Sequence, residues 1–166
     1  MKSRIRLWQR NLHTWAVENF FIRSMEERAE LFAQHFEDFL TPKSHILDIG
    51  GAWGFYFDPL CKRGHYLTVL DVAKSRYHRA PTVIYNPADP FPFLDQSVDA
   101  SFLITMLHHT PDPSRLLEEA KRVTRGVIVV VSRTYRSNAA APAVWCLGKA
   151  NDLSRRLILI FMLLSF

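Results

Sequence analysis

Cysteine is nearly absent from this sequence, glycine is scarce, and no apolar run is long enough to cross a bilayer. The two cysteines, Cys61 and Cys146, lie far apart and match no metal-ligand or redox spacing. That excludes a disulfide framework, suits a reducing cytosol and makes both packing residues. A cytoplasmic protein is therefore expected. The basic N-terminus (Lys2, Arg4, Arg6, Arg10) leads into an aromatic stretch of mixed polarity, so no signal peptide is evident. Residues 157–166 are almost wholly apolar, but a helical span needs about 20 residues. This tail is a buried helix, a membrane-surface anchor making peripheral contact, or the start of something longer. Acidic residues are outnumbered, with 21 Lys and Arg against 16 Asp and Glu and a net charge of +5. The positive charge is spread along the chain apart from the N-terminus and the Arg155–Arg156 pair, so no nucleic-acid groove is expected.

What is present is a globular composition, 48% hydrophobic and 22% charged, in a chain long enough for one domain. The first forty residues read as helix. Trp8, Leu12, Trp15, Asn19 and Ile22 recur at helical spacing, and Leu31, Phe32, His35, Phe36 and Phe39 continue the pattern. Arg23-Ser24 reads as a break, with Ser24 and Glu27 forming a capping box for a second helix that Thr41-Pro42 ends. Strands and helices then alternate. Strands are predicted over 45–49, 67–70, 82–85, 98–105 and 127–131. Helices are predicted over 55–63 (closed by Gly64), 74–79 and 113–123, the last with Asp112 as N-cap and Pro113 at its first position. The apolar strands between helices imply a doubly wound, Rossmann-like α/β fold with a mostly parallel sheet covered on both faces. The organisation is a helical cap over residues 1–42, a core over 43–133 and a helical or apolar tail over 134–166.

In such a sheet the ligand sits beyond the carboxyl ends of the central strands. The first end reads Asp48-Ile49-Gly50-Gly51-Ala52-Trp53-Gly54, where glycines let backbone approach a ligand. The second ends at Asp71-Val72, with the carboxylate placed to grip a ribose through its hydroxyls. The dinucleotide fingerprint G-x-G-x-x-G fails from either glycine. Counting from Gly50, positions three and six are Ala52 and Phe55; from Gly51 they are Trp53 and Tyr56. His108 and His109 are adjacent imidazoles, but no third ligand lies at metal spacing, so no metal site is expected.

The pattern Asp48-x-Gly50-x-Ala52-x-Gly54 resembles the first motif of class I S-adenosylmethionine-dependent methyltransferases. The resemblance extends through Phe91-Pro92-Phe93-Leu94-Asp95-Gln96-Ser97-Val98-Asp99, Leu107-His108-His109-Thr110-Pro111-Asp112-Pro113, and Leu116-Leu117-Glu118-Glu119-Ala120-Lys121-Arg122-Val123. These are similar to motifs of the group that includes the ubiquinone-biosynthesis enzymes. The resemblance implies S-adenosyl-L-methionine as cofactor and a small-molecule acceptor. Asp48, Gly50, Gly51, Ala52 and Gly54 would line the methionine part, and Asp71 with Val72 the ribose. Asn86, one residue out of register, and Asp89, the nearest carboxylate, would lie near adenine. Thr105 and Met106 would sit by the transferred methyl, and His109 would be the catalytic acid–base or acceptor contact. Ala52 replaces the usual middle glycine.

Domains of this group normally add a final antiparallel strand pair, and no convincing pair can be placed after Val131, although residues 157–164 could supply one strand. The sequence therefore predicts a shortened sheet, with the fifth strand near an open edge and a tendency to form homodimers. Three functions are compatible with these features: an active methyltransferase, a divergent methyltransferase-like chain acting as a cofactor-binding or partner subunit without activity, and a nucleotide-cofactor enzyme of another type.

Overall fold

The computed structural model describes Trp15, residues 17–132 and the strand at 157–161. The sequence expectations for residues 1–14, for the loop at 139–143, for Cys146 and for Arg155–Arg156 lie outside the described residues. Six strands form one sheet: β1 (His45–Ile49), β2 (Tyr66–Asp71), β3 (Thr82–Ile84), β4 (Val98–Ile104), β5 (Thr124–Ser132) and β6 (Leu157–Phe161). Their order is β3-β2-β1-β4-β5-β6, and every neighbouring pair is parallel. The chain winds outward from β1 through β2 to β3, crosses back, and winds outward again from β4. The two directions part between β1 and β4, where a doubly wound sheet binds its ligand.

Alternation along the strands builds two cores. On one face, Ile46, Leu67, Val69, Ala100, Phe102, Ile104, Val129 and Val131 meet α1 (Arg23–Glu37) and α2 (Phe57–Lys62) through Phe32, Ala33, Phe36 and Leu60. On the other, Leu47, Ile49, Leu70, Leu103 and Val130 meet α3 (Pro113–Val123) through Leu116, Ala120 and Val123. Burying both faces of the central strands is what makes them read as continuous apolar runs. Asp112 caps α3 as expected, its carboxylate accepting from the Arg115 amide at 3.0 Å.

The structure corrects four local expectations. The break and capping box at Arg23-Ser24 are not formed. A π-helical turn, Val17–Ile22, runs directly into α1, and Ile22 at its start is itself helical with no side-chain cap. The buried stripe of α1 is Ala29, Phe32, Ala33 and Phe36, while Leu31 and Phe39 are exposed. The helix expected over 74–79 is absent. Local side-chain bonds hold that segment in turns, with Asp71 Oδ1 accepting from Val72 and Ala73 and Ser75 Oγ from Tyr77. Finally, β5 is not an edge, because β6 pairs with it from Ile128↔Leu157 to Ser132↔Phe161. The described part of the apolar tail is thus a parallel strand, and among the described residues the outer edge of the sheet moves from β5 to β6. Among the described residues no helix is long and apolar enough to cross a membrane.

Candidate functional site

A cavity of about 400 Å³ opens at the carboxyl ends of β1 and β4, within the size range of small-molecule sites. Its wall includes Asp48, Gly50, Gly51, Ala52, Thr105, Met106 and His109. Phe21, Met25, Arg28, Trp53, Phe55, Tyr56 and Ile104 complete the lining. A larger groove, about 640 Å³, runs beside α1 and α2 between Glu26, Glu30, Asp58, Lys62 and Arg79. Its charges pair across it, Arg79 with Glu26 and Asp58, and none of the strand-end residues reaches it.

Asp48 is the chemical centre of the smaller cavity. It is 1% exposed, and its Oδ2 has no hydrogen-bond partner. Burial, and then the charge of Asp71, push its carboxyl up to about 7. A buried oxygen left without a donor costs free energy, so its retention needs a reason. Burial, and then Asp48, drive the neighbouring Tyr56 hydroxyl well above its ordinary range. Gly51 has to be glycine because a Cβ there would run into the Asp48 carboxylate. At Gly50 (φ +71°) a Cβ would meet Met106 Cε at 2.9 Å. Gly54 (φ +70°) instead turns toward Ala80 and Val69; it shapes the loop from below and lies outside the cavity wall.

Two strained residues border the same cavity. Ala52 has φ +46° and Thr105 φ +55°, a region L-residues avoid and β-branched ones most of all. The Thr105 amide donates to Val131 O at 2.6 Å, and the Ala52 amide to Asp71 Oδ2 at 3.0 Å. Strain of this kind collects where a surrounding framework holds backbone against a ligand.

Of the remaining sequence candidates only His109 lines the cavity; Asp71, Val72, Asn86 and Asp89 are not part of its wall. Asp71 sits at the end of β2 and ties the glycine loop down, its other oxygen accepting from Val72 at 2.7 Å. Asn86 closes its own turn, Oδ1 accepting from the Ala88 amide and its carbonyl from Asp89. His109 is on the wall, in a short 3₁₀ turn from Leu107 to His109, with its ring 3.9 Å from that of His108. The motifs at 91–99 and 116–123 join each other: Arg122 donates to Phe91 O, Phe93 O, Asp95 and Glu119, and Glu119 accepts from the Phe91 amide. These residues are framework.

Sequence reasoning missed Arg28, Met25 and Phe21 as wall residues. The signal was present, since Phe21, Met25, Arg28, Phe32 and Phe36 follow helical spacing on one face. A lone arginine in an apolar stripe marks a buried task. Among the described residues no group of three or more His, Cys, Asp or Glu could hold a metal ion.

A family model described as a methyltransferase domain matches residues 47–130. An uncharacterized methyltransferase of Mycobacterium sp. (strain JLS) is 32% identical over 96 residues, covering 54% of this chain and 38% of that protein. An uncharacterized protein of Methanocaldococcus jannaschii is 29% identical over 118 residues, covering 70% and 54%. Among solved structures, a SAM-dependent methyltransferase from Aquifex aeolicus superposes with a TM-score of 0.59 at 21% identity, over 78% of this chain and 85% of that one. The chain thus spans well under two thirds of the curated relatives' length.

Proposed function

From the premise that the chain belongs to the methyltransferase-domain family, whose expected cofactor is S-adenosylmethionine, we propose that it transfers a methyl group from that cofactor to a small-molecule acceptor. The observation that carries the reading is the buried, partnerless Oδ2 of Asp48 at the mouth of a glycine loop. An acceptor oxygen of this kind fits the ammonium of the cofactor's methionine end. When bound, S-adenosylmethionine supplies a methyl on a sulfonium, already activated for in-line displacement.

The residues of this chain then have mainly to position and exclude water. Asp48 holds the ammonium, and the Gly50–Gly51–Ala52 backbone closes over the same end. Asp71 takes the ribose hydroxyls with lone pairs its amide donors leave free, and Val72, Asn86 and Asp89 lie on the side where adenine would extend. Thr105 and Met106 bound the methyl-transfer end. His109, on the cavity wall and solvent-accessible, accepts a proton from an acceptor that must lose one. Phe21 packs edge-on to Trp53 and Phe55, which are tilted against each other, all at 5.3–6.4 Å, and the three form an apolar rim.

Calorimetric titration with S-adenosylmethionine and S-adenosylhomocysteine tests this: both should bind, and Asp71→Ala should remove most of the affinity. Absence of binding by either ligand overturns the reading. The strained Ala52 favours a second reading, a cofactor-binding subunit without turnover. It predicts binding with no methyl transfer to any acceptor in a metabolite screen.

A further inference from the structure

The N-terminal helical segment carries aromatic rings that neither core uses. Phe20, in the π turn, is 69% exposed, Trp15 before it 54% and Phe21 beside it 48%. The Trp15 and Phe20 rings meet at 6.0 Å. Phe21 continues the patch onto Trp53 at 5.3 Å, and Trp53 onto Tyr77 at 4.8 Å. Apolar surface residues scattered singly need no explanation, but rings gathered in this way mark a contact surface. The charge around them is positive on balance. Glu26, Glu27 and Asp58 are each paired with Arg79 or Arg23. Arg76 lies over Tyr77, its guanidinium carbon 5.9 Å from the ring centre. In the sequence, residues 1–17 hold Lys2, Arg4, Arg6 and Arg10, interleaved with Trp8 and Leu12, and the first acid is Glu18.

We propose that this aromatic, basic face docks on an anionic lipid surface. Exposed Trp and Phe side chains seat at the boundary between headgroups and acyl chains, and flanking cations are drawn to anionic headgroups. The rings do not offer the stacking platform a nucleic acid needs. Phe21 meets Trp53 and Phe55 at 75° and 72°, and Phe20 meets Trp15 at 72°, so ring edges are turned into the faces that bases would occupy. Phe21 belongs both to this patch and to the cavity wall, so docking brings the mouth of the cavity to the lipid. The surface needs no cofactor and stands apart from the methyl-transfer reading.

Co-sedimentation of the full chain with vesicles tests this, using phosphatidylcholine alone and about a two-to-one mixture with phosphatidylserine. The wild-type protein should bind the mixed vesicles, and the neutral ones about tenfold or more weakly. Phe20→Ser should lower the affinity for mixed vesicles by about tenfold, the effect of withholding one large apolar side chain from the interface. Phe20 is mostly exposed and lies outside the cavity wall, so this variant should fold and keep the wild-type thermal midpoint. Arg4→Gln together with Arg6→Gln should cost about fivefold per charge on the mixed vesicles and nothing on the neutral ones. No binding of the wild type to mixed vesicles, or equal binding to both compositions, overturns the proposal. Unchanged binding by Phe20→Ser does so too, as does capture by a single-stranded oligouridylate in place of vesicles. A wild-type dimer that ignores vesicles, and that Phe20→Ser turns into a monomer, would assign the patch to a second copy of the chain and overturns it equally.

Discussion

One buried carboxyl, Asp48, gives this fold a cost that grows as pH rises. Asp48 is pushed up to about 7 by burial and by Asp71, whereas in an unfolded chain it titrates near 3.8. Between those values the folded state keeps a proton that the unfolded state has lost. The stability Asp48 contributes is thus present in full below 3.8, declines as pH rises, and is gone above about 7. Three pH units correspond to about 4 kcal/mol. Asparagine mimics the protonated form and does not titrate. Asp48→Asn should therefore equal the wild type at pH 4 and exceed it increasingly toward pH 8 in urea unfolding of the ligand-free proteins. A difference between the two that stays constant over this range would rule out Asp48 as the titrating group. The same substitution should weaken S-adenosylhomocysteine by at least tenfold, because a neutral amide cannot replace a carboxylate against an ammonium. The group that binds ligand is then one the empty fold holds at a cost, as functional groups often are.

At the scale of elements, the loop between β1 and α2 shows which glycines matter and why. Gly54 is left-handed and closed in by Ala80, so Gly54→Ala should destabilise by about 1–3 kcal/mol through strain and crowding together. Ala52 is left-handed too, at φ +46°, but it is exposed and already carries its methyl group. Ala52→Gly relieves that strain while adding freedom to the unfolded chain, so it should be neutral or stabilising by up to about 1 kcal/mol. Chemical denaturation of both variants checks the contrast, and an Ala52→Gly loss as large as that of Gly54→Ala would show that this reading of the loop is wrong. Most of this was legible locally. The apolar runs of β1, β2 and β4, the Asp112-Pro113 start of α3 and the strand-end position of Asp48 each depend on neighbours in sequence. What was not legible depends on distant partners. Residues 157–161 form a strand because β5 offers an edge 29 residues away at Ile128↔Leu157. Residues 74–79 resemble a helix until Asp71 takes the amides of Val72 and Ala73 just before them and Ser75 that of Tyr77. Ser24 and Glu27 have a capping spacing, but the π turn before them leaves no helix end to cap. Arg28 joins the site only when α1 is laid against β1 and β4.

Across the whole molecule, the cavity is shared between two parts that are remote in sequence, the strand-end loop and the N-terminal helical segment. Phe21, in the π turn, packs against Trp53 and Phe55 of the loop, and Arg79, whose amide donates to Trp53 O, reaches back to Glu26. Met25 and Arg28 supply the wall between them. A ligand in this cavity touches both parts, so any opening that separates them must first release it. Binding then stabilises against such openings by RT ln(1 + [L]/Kd), about 2.7 kcal/mol at a hundredfold excess over Kd. Amide exchange limited by those openings should slow by about 100-fold. The amides of residues 17–28 should be protected along with those of residues 50–56 when S-adenosylhomocysteine is added. Exposed amides at the start of α3, on the opposite face of the sheet, exchange through local fraying that leaves the cavity intact, and should not change. Protection confined to residues 50–56 would mean that the helical segment opens without disturbing the ligand. The cavity would then end at the loop, and neither Phe21 nor Arg28 would belong to it.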